Sequence, residues 1–99
     1  MENTLQTSTH EHFVTIDKSL IRSMRFNRVI PSKNEVLKSK LEYAMRLGNA
    51  HHVKVRLYFS TIEGNYKVET TVWACDNTSV CLKGGIWIPL SHIRSVEFY

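Results

Sequence analysis

The sequence predicts an α+β fold in which an N-terminal helix or helices pack on a five-stranded antiparallel meander that forms a small barrel or half-barrel. Three observations favour it. Residues 33–47 have the spacing of a capped amphipathic helix. From His52 onward the apolar residues alternate with a period of two, which is typical of strands. Turn-forming residues then divide the chain into short segments, and a twisted sheet of short strands tends to close on itself.

The chain is 99 residues long, which is room for one domain. We expect residues 1–12, which are polar, to form a flexible arm and residues 13–99 to form a single domain. No apolar run approaches the roughly 20 residues of a membrane helix, and the first residues lack the pattern of a secretory signal. We therefore expect a cytoplasmic protein with no membrane partner.

The helix predicted over residues 33–47 has signals at both ends. Ser32 and Glu35 have the spacing of a capping box, in which each side chain binds a free backbone amide of the first turn. Gly48 stands where a left-handed C-terminal cap is expected. The apolar stripe between these ends consists of Leu37, Leu41 and Ala44.

Residues 13–30 allow two interpretations. Asp17 is a suitable N-cap for a helix that begins at Lys18 and has apolar residues at helical spacing. Residues 13–16 are equally suited to a short strand. Pro31 ends the element in either case, because proline disfavours the helical conformation of the residue before it.

Two hairpins are predicted in the second half of the chain. The first joins strands 53–60 and 66–74 through the short link 62–65. Matching their apolar faces predicts three pairs: Phe59 with Val68, Leu57 with Thr70, and Val55 with Val72. The second hairpin has the three-residue loop 83–85, with Gly85 in the left-handed conformation. Its predicted pairs are Leu82 with Ile86 and Val80 with Ile88.

The C-terminal third, GGIWIPLSHIRSVEF, resembles the end of a Src-homology-three-like barrel. Such barrels end with a glycine, an aromatic-aliphatic pair, a proline, a one-turn helix and a branched aliphatic residue. The corresponding residues here are Gly85, Trp87, Ile88, Pro89, the segment 90–92 and Ile93. The position of a helix before the first strand resembles the Sm-like RNA-binding barrels, which also begin with a helix. The resemblance concerns about a dozen residues and implies a fold, not a set of binding residues.

Charge is distributed unevenly along the chain. The formal net charge is +4. Residues 18–56 hold ten lysine and arginine residues against two glutamates, which is ten minus two, or +8. This asymmetry favours an anionic partner.

The outward face of the predicted sheet combines aromatic and cationic residues. The predicted register places Lys54 beside Trp73, and Trp87 across from Cys81. Rings on which bases stack, next to cations that contact phosphates, are typical of single-stranded nucleic-acid binding. The predicted platform consists of Lys54, Arg56, Tyr58, Trp73, Lys83 and Trp87. The alternative is that the helices cover this face to bury their own apolar stripe.

Three arginines, Arg22, Arg25 and Arg28, recur every three residues. On a helix they would form one ridge able to contact phosphates. The alternative is an ordinary solvated helix face.

Other candidate residues give weaker signals. His10, His12, His51 and His52 fit no zinc-ligand spacing, so we expect no metal site. Cys75 and Cys81 fall opposite each other in the predicted register, which permits a cross-strand bridge, although free thiols are expected in a reducing compartment. No motif for a catalytic nucleophile, for an acid and base pair or for a cofactor is present.

The sequence therefore predicts a non-catalytic binding module with a basic surface, whose best-matching ligand is single-stranded nucleic acid. The alternative is a protein-protein interaction module, or one that associates with itself through its short edge strands and tryptophans.

Overall fold

The computed structural model describes residues 12–27 and 29–99. Within them lie one α-helix and seven strands, arranged in a four-stranded and a three-stranded sheet that do not close into a barrel. The predicted five-stranded meander with N-terminal helices, forming a barrel or half-barrel, is therefore wrong. The arm predicted over residues 1–12 lies outside the described residues except for His12.

The elements follow one another along the chain as strand, 3-10 helix, α-helix and then six strands. The strands are β1 (Val14–Thr15), β2 (Val55–Ser60), β3 (Asn65–Thr70), β4 (Val72–Cys75), β5 (Ser79–Leu82), β6 (Ile86–Pro89) and β7 (Ile93–Phe98), the α-helix is α1 (Glu35–His51), and the 3-10 helices are Lys18–Ser23 and Leu90–His92. The strand order is β1-β3-β2-β7 in the four-stranded sheet and β4-β5-β6 in the three-stranded sheet.

Both interpretations of residues 13–30 are correct in part. Strand β1 pairs in parallel with β3, so the four-stranded sheet is mixed rather than antiparallel throughout. The 3-10 helix then begins at Lys18, and Asp17 caps it by accepting a hydrogen bond from the Ser19 amide at 2.8 Å. This bond lowers the pKa of the Asp17 carboxyl below its ordinary value.

Helix α1 begins two residues after its predicted start. Its N-cap is Asn34, whose side-chain oxygen accepts from the Leu37 amide at 3.0 Å. Ser32 instead accepts from the Asn34 amide at 3.1 Å, so the predicted capping box is wrong. Asparagine caps a helix as well as serine does, and here it stands closer to the apolar stripe.

Helix α1 also continues past Gly48, and the left-handed cap is His52, with φ of 57°. Gly48 serves close packing instead. A Cβ atom there would lie 2.5 Å from the Val72 carbonyl oxygen and 2.7 Å from Thr71 Cγ2. Glycine thus lets the helix backbone contact the start of β4.

The predicted strand 66–74 is two strands that separate at Thr71. The Thr71 carbonyl accepts a hydrogen bond from the Lys83 amide at 2.9 Å, which draws the chain away from β2 and toward β5. Strand β3 belongs to the four-stranded sheet and β4 to the three-stranded sheet. Because the strand changes sheets here, no residue of β4 pairs with β2 among the described residues.

The register of the first hairpin is shifted by two residues from the prediction. The observed pairs are Val55 with Thr70, Leu57 with Val68, and Phe59 with Tyr66. The predicted pairs are wrong because the turn starts one residue earlier, where the Thr61 amide donates to the Gly64 carbonyl at 2.8 Å. A shift of two keeps every side chain on its predicted face of the sheet.

The second hairpin confirms the prediction. Leu82 pairs with Ile86 and Val80 with Ile88, around the three-residue loop 83–85. Gly84 and Gly85 in that loop have φ of 95° and 80°, which glycine adopts without steric penalty. The inward side chains of both sheets form one core with the stripe of α1. The buried members from α1 are Leu37, Leu41 and Ala44.

None of the helices among residues 12–27 and 29–99 is both long and apolar enough to cross a bilayer.

Candidate nucleic-acid interface

The outward face of the four-stranded sheet carries two of the predicted site residues, Arg56 and Tyr58. Arg56 is held by carboxylates on both neighbouring strands: its Nη2 lies 2.7 Å from Glu69 and its Nη1 lies 2.9 Å from Glu97. The Tyr58 hydroxyl donates to the same Glu97 oxygen at 2.9 Å. The guanidinium also lies 5.1 Å from the centre of the Tyr99 ring.

These contacts affect the titration of the charged groups on this face. The hydrogen bond from Arg56 lowers the pKa of the Glu69 carboxyl, and the same bond raises the pKa of the Arg56 guanidinium above its ordinary value. Tyr58 is also engaged through its ring, which meets the Phe13 ring edge to face at 5.1 Å. The charge of Arg56 is thus paired with carboxylates of its own chain, and the ring of Tyr58 is packed against Phe13.

The outward face of the three-stranded sheet is built differently, around a β-bulge at Trp73. Val72 pairs with Leu82 and Ala74 pairs with Cys81, so Trp73 is the extra residue between them. A bulge of this kind turns a side chain out of the regular alternation. On the other side of β5, Trp87 pairs with Cys81, as predicted.

Trp73, Cys81 and Trp87 therefore form one row across three strands, which we name the tryptophan face. The two indoles are 46% and 51% exposed, whereas Cys81 between them is 6% exposed. Because Cys81 pairs with Trp87 on β6 and with Ala74, next to Trp73, on β4, we infer that the indoles shield its thiol. Helix α1 packs against the start of β4 through Gly48 and does not bury the indoles, so the alternative that helices cover this face is wrong for the described residues.

Cations gather at the end of the tryptophan face, around the loop 83–85. Lys83 immediately follows β5, two residues beyond Cys81. The Arg22 guanidinium donates to the Gly84 carbonyl at 2.8 Å. Lys18 lies against the same glycine, with its Nζ 3.9 Å from the position that a Cβ atom would take there. We name Lys18, Arg22 and Lys83 the basic rim. Within the part of the chain that the structure describes, none of the three has a carboxylate oxygen within 4.0 Å.

The two described arginines of the predicted ridge, Arg22 and Arg25, do not lie on one helix. The 3-10 helix that carries Arg22 ends at Ser23, and Arg25 lies beyond it on an exposed, non-helical segment. Arg28 lies outside the described residues. Arg22 is placed next to the loop 83–85 by its hydrogen bond to Gly84.

Lys54 is not beside Trp73, because that prediction depended on pairing Val55 with Val72. It lines a cavity of about 400 Å³ together with Lys18 and Lys83. This cavity lies where the end of β1, the break at Thr71 and the loop 83–85 meet. Sequence reasoning missed Lys18 as a site residue, because only the pairing of β1 with β3 brings it here.

The two cysteines lie on opposite faces of the three-stranded sheet. Cys75 pairs with Val80 and Cys81 pairs with Ala74, so the prediction that the two cysteines face each other is wrong. Both are free thiols. Burial raises the pKa of both thiols, and the carboxylate of Glu42 raises that of Cys75 further. Thiols of raised pKa are poor nucleophiles at neutral pH.

The histidines at 51 and 52 end helix α1 and form its cap, rather than lying in a strand. His10 lies outside the described residues. Across residues 12–27 and 29–99, no three His, Cys, Asp or Glu side chains gather as a metal site would require.

Comparison of the chain with models of known families, with curated proteins and with solved structures gives no match.

Proposed function

We propose that this protein is a cytoplasmic, non-catalytic module that binds single-stranded nucleic acid on its tryptophan face. The observation that carries the proposal is the pair of half-exposed indoles, Trp73 and Trp87, on a sheet face that ends in cations with no carboxylate partner among the described residues.

The spacing of the indoles suits a strand of unpaired bases. Trp73 and Trp87 lie on strands separated by β5 alone, so their backbones are about two interstrand spacings, or roughly 10 Å, apart. Two bases of one flexible single strand can each stack on one of two rings carried by strands this far apart. Each base stacked on an aromatic ring contributes about 1–3 kcal/mol of binding free energy, with little sequence preference.

The basic rim supplies the second component of such a site. Single-stranded binders combine rings with cations that follow the backbone, and each phosphate that is neutralised releases counterions. Lys83 is the residue after the end of β5 and lies about 7 Å from Cys81, given the rise of a strand. When the bases of a nucleic-acid strand stack on the indoles, the phosphates of that strand therefore lie within reach of the basic rim.

The four-stranded face has no part in the proposed site. Arg56 would have to leave two carboxylates to contact a phosphate. The same carboxylates, Glu69 and Glu97, would repel a phosphate that approached them. The proposed site therefore contains Trp73, Lys83 and Trp87 from the predicted platform. Lys18 and Arg22 complete it.

A protein partner or a second copy of this chain is the competing occupant. The two tryptophans would suit such an interface. Three adjacent cations without carboxylates would lose hydration on burial unless the partner supplied acidic groups. A polyanion meets the rings and the cations together, and for this reason we commit to nucleic acid.

The first test is a titration of the protein with short single-stranded RNA, followed by tryptophan fluorescence. The chain has two tryptophans, and both belong to the proposed site, so all indole emission reports on it. We expect quenching that saturates, and an affinity that falls as salt is raised from low to physiological concentration. Trp73→Phe and Trp87→Phe, measured singly, assign the quenching to each indole.

Quenching with the expected salt dependence supports the proposal. Unchanged emission at RNA concentrations up to the millimolar range overturns it. A concentration-dependent dimer whose emission is blue-shifted, and which RNA does not dissociate, overturns it in favour of self-association.

A further inference from the structure

We propose that the cavity lined by Lys18, Lys54 and Lys83 is a binding site for a phosphate monoester. The cavity has a volume of about 400 Å³, within the range of roughly 300–1,000 Å³ that small-ligand sites occupy. This cavity is distinct from the tryptophan face, because Lys18 and Lys54 lie on segments that precede the three-stranded sheet.

The three lysines reach the cavity from three separate parts of the chain. Lys18 begins the first 3-10 helix, Lys54 immediately precedes β2, and Lys83 follows β5. Among the described residues, no carboxylate oxygen lies within 4.0 Å of any of their ammonium groups. Like charges that converge on one cavity repel each other, and a dianion between them relieves that repulsion.

Two carboxylates also line the cavity, and each is bound to another group. Asp17 accepts the Ser19 amide at 2.8 Å, and Glu69 accepts from the Arg56 guanidinium at 2.7 Å. Arg56 does not itself line the cavity, and Glu69 shares its guanidinium with Glu97. Three lysines therefore face two carboxylates in the lining, which leaves one positive charge in excess.

A second observation concerns Thr70, another residue of the cavity lining. Its hydroxyl oxygen is buried and has no hydrogen-bond partner among the described residues. A buried hydroxyl without a partner is unfavourable, so the wall of the cavity contains one unsatisfied polar group. The phosphate oxygens of a monoester are acceptors of the kind that the three ammonium groups require.

A phosphate monoester could come from two sources, a free mononucleotide or the 5′-phosphate of an RNA strand. The second source connects the cavity with the tryptophan face through Lys83, and it rests on the proposed function. The first does not, since a phosphorylated small molecule would bind with no stacked strand. A monoester is favoured over the diester of a strand interior, because it brings nearly two negative charges rather than one.

The test compares AMP with adenosine, and a 5′-phosphorylated RNA with the same RNA bearing a 5′-hydroxyl. We expect AMP to raise the thermal unfolding midpoint of the wild-type protein while adenosine does not. The double variant Lys18→Gln with Lys54→Gln should abolish that shift. The matched control, Lys40→Gln with Lys67→Gln, removes the same charge outside the cavity and should keep it.

Asp17→Asn supplies a variant that gains affinity. Asparagine also caps a helix, so the fold is retained while the opposing charge is removed. We expect its AMP affinity to rise by roughly three- to ten-fold, the range for loss of one nearby like charge at a partly exposed site.

The outcomes separate this inference from the proposed function. A shift with AMP, together with roughly five- to ten-fold tighter binding of the 5′-phosphorylated RNA, supports the cavity and names the strand end as a source. A shift with AMP and no RNA preference supports the cavity and names the free nucleotide. No shift with AMP and no 5′-phosphate preference overturns the inference, even where RNA still quenches the tryptophans.

Discussion

The two outward sheet faces of this protein hold similar residue types and use them in opposite ways. On the four-stranded face, Arg56 is bound between Glu69 and Glu97, and the rings of Tyr58 and Phe13 pack on each other. On the three-stranded face, Trp73 and Trp87 are about half exposed. The difference lies in the neighbours: the first face has carboxylates opposite its cation, whereas the second has cations at its end and no acidic residue in the row.

This contrast shows how little a count of rings and cations says about binding. An arginine bound by two carboxylates has no unpaired charge to offer a phosphate, and releasing it would leave both carboxylates without their partner. The cations of the basic rim contact backbone carbonyls or solvent instead. The predictions below separate the two faces, from the largest expected effect to the smallest.

The largest effect is expected from removing the two indoles. Trp73→Ala and Trp87→Ala should each weaken RNA binding by about 1–3 kcal/mol, or roughly 5- to 150-fold, through loss of a stacked base. Fluorescence anisotropy of labelled RNA measures this without the indoles. Tyr99→Ala removes an exposed ring from the four-stranded face and is the matched control, for which we expect unchanged affinity. A loss of RNA affinity for Tyr99→Ala equal to that of the tryptophan variants would contradict the distinction between the faces.

A several-fold effect is expected on the reactivity of one cysteine. If the indoles shield Cys81, then Trp87→Ala should increase the rate at which iodoacetamide alkylates it. Cys75 lies on the opposite face of the sheet and is the internal control. Mass spectrometry of the two peptides gives both rates in one sample. An equal change at both thiols would mean that the variant loosens the sheet rather than uncovering one face.

A smaller effect is expected on the salt dependence of binding. Lys83→Gln should reduce the slope of log K against log salt by about 0.7, the value for one phosphate contact of a single strand. Lys67→Gln is the matched control, because Lys67 lies opposite Tyr58 on the four-stranded face. An unchanged slope for Lys83→Gln, or an equal change for Lys67→Gln, would argue against the basic rim.

The smallest effect concerns acid stability and belongs to the four-stranded face. Arg56 lowers the folded-state pKa of Glu69, so this contribution to stability is present above the ordinary glutamate pKa and is lost as pH falls through the folded value. Arg56→Gln should therefore lose less stability than the wild type between about pH 6 and pH 3. Thermal unfolding followed by circular dichroism measures this.

At neutral pH, Arg56→Gln should leave RNA affinity within about two-fold of wild type, since Arg56 lies outside the proposed site. A loss of RNA affinity clearly larger than about two-fold would show that the four-stranded face takes part in binding.

Local patterns were enough to predict several elements and their faces. The helix follows from its apolar periodicity, although both of its predicted caps are wrong. The Asp17 cap and the hairpin around residues 83–85 follow from signals that act within a few residues. The outward position of Trp73 and Trp87 followed from alternation with the buried residues beside them, and the bulge after Val72 did not change it.

Long-range contacts decided what the sequence did not predict. The break at Thr71 depends on a hydrogen bond with Lys83, and the close approach of α1 depends on the absence of a side chain at Gly48. Neither leaves a local signal, because an alternating run that stays in one sheet looks the same as one that changes sheets. Without the break, Arg56 and Trp73 were assigned to one face. The carboxylates that bind Arg56 come from β3 and β7, and Glu97 is 41 residues away along the chain.

The most direct test of the distinction between the faces is photo-crosslinking with single-stranded RNA that contains 4-thiouridine, followed by mass spectrometry of the linked peptides. We predict that links form at Trp73 or Trp87, and that excess unlabelled RNA suppresses them. Links concentrated at Phe13, Tyr58 or Tyr99 instead would place the RNA on the four-stranded face and contradict the account.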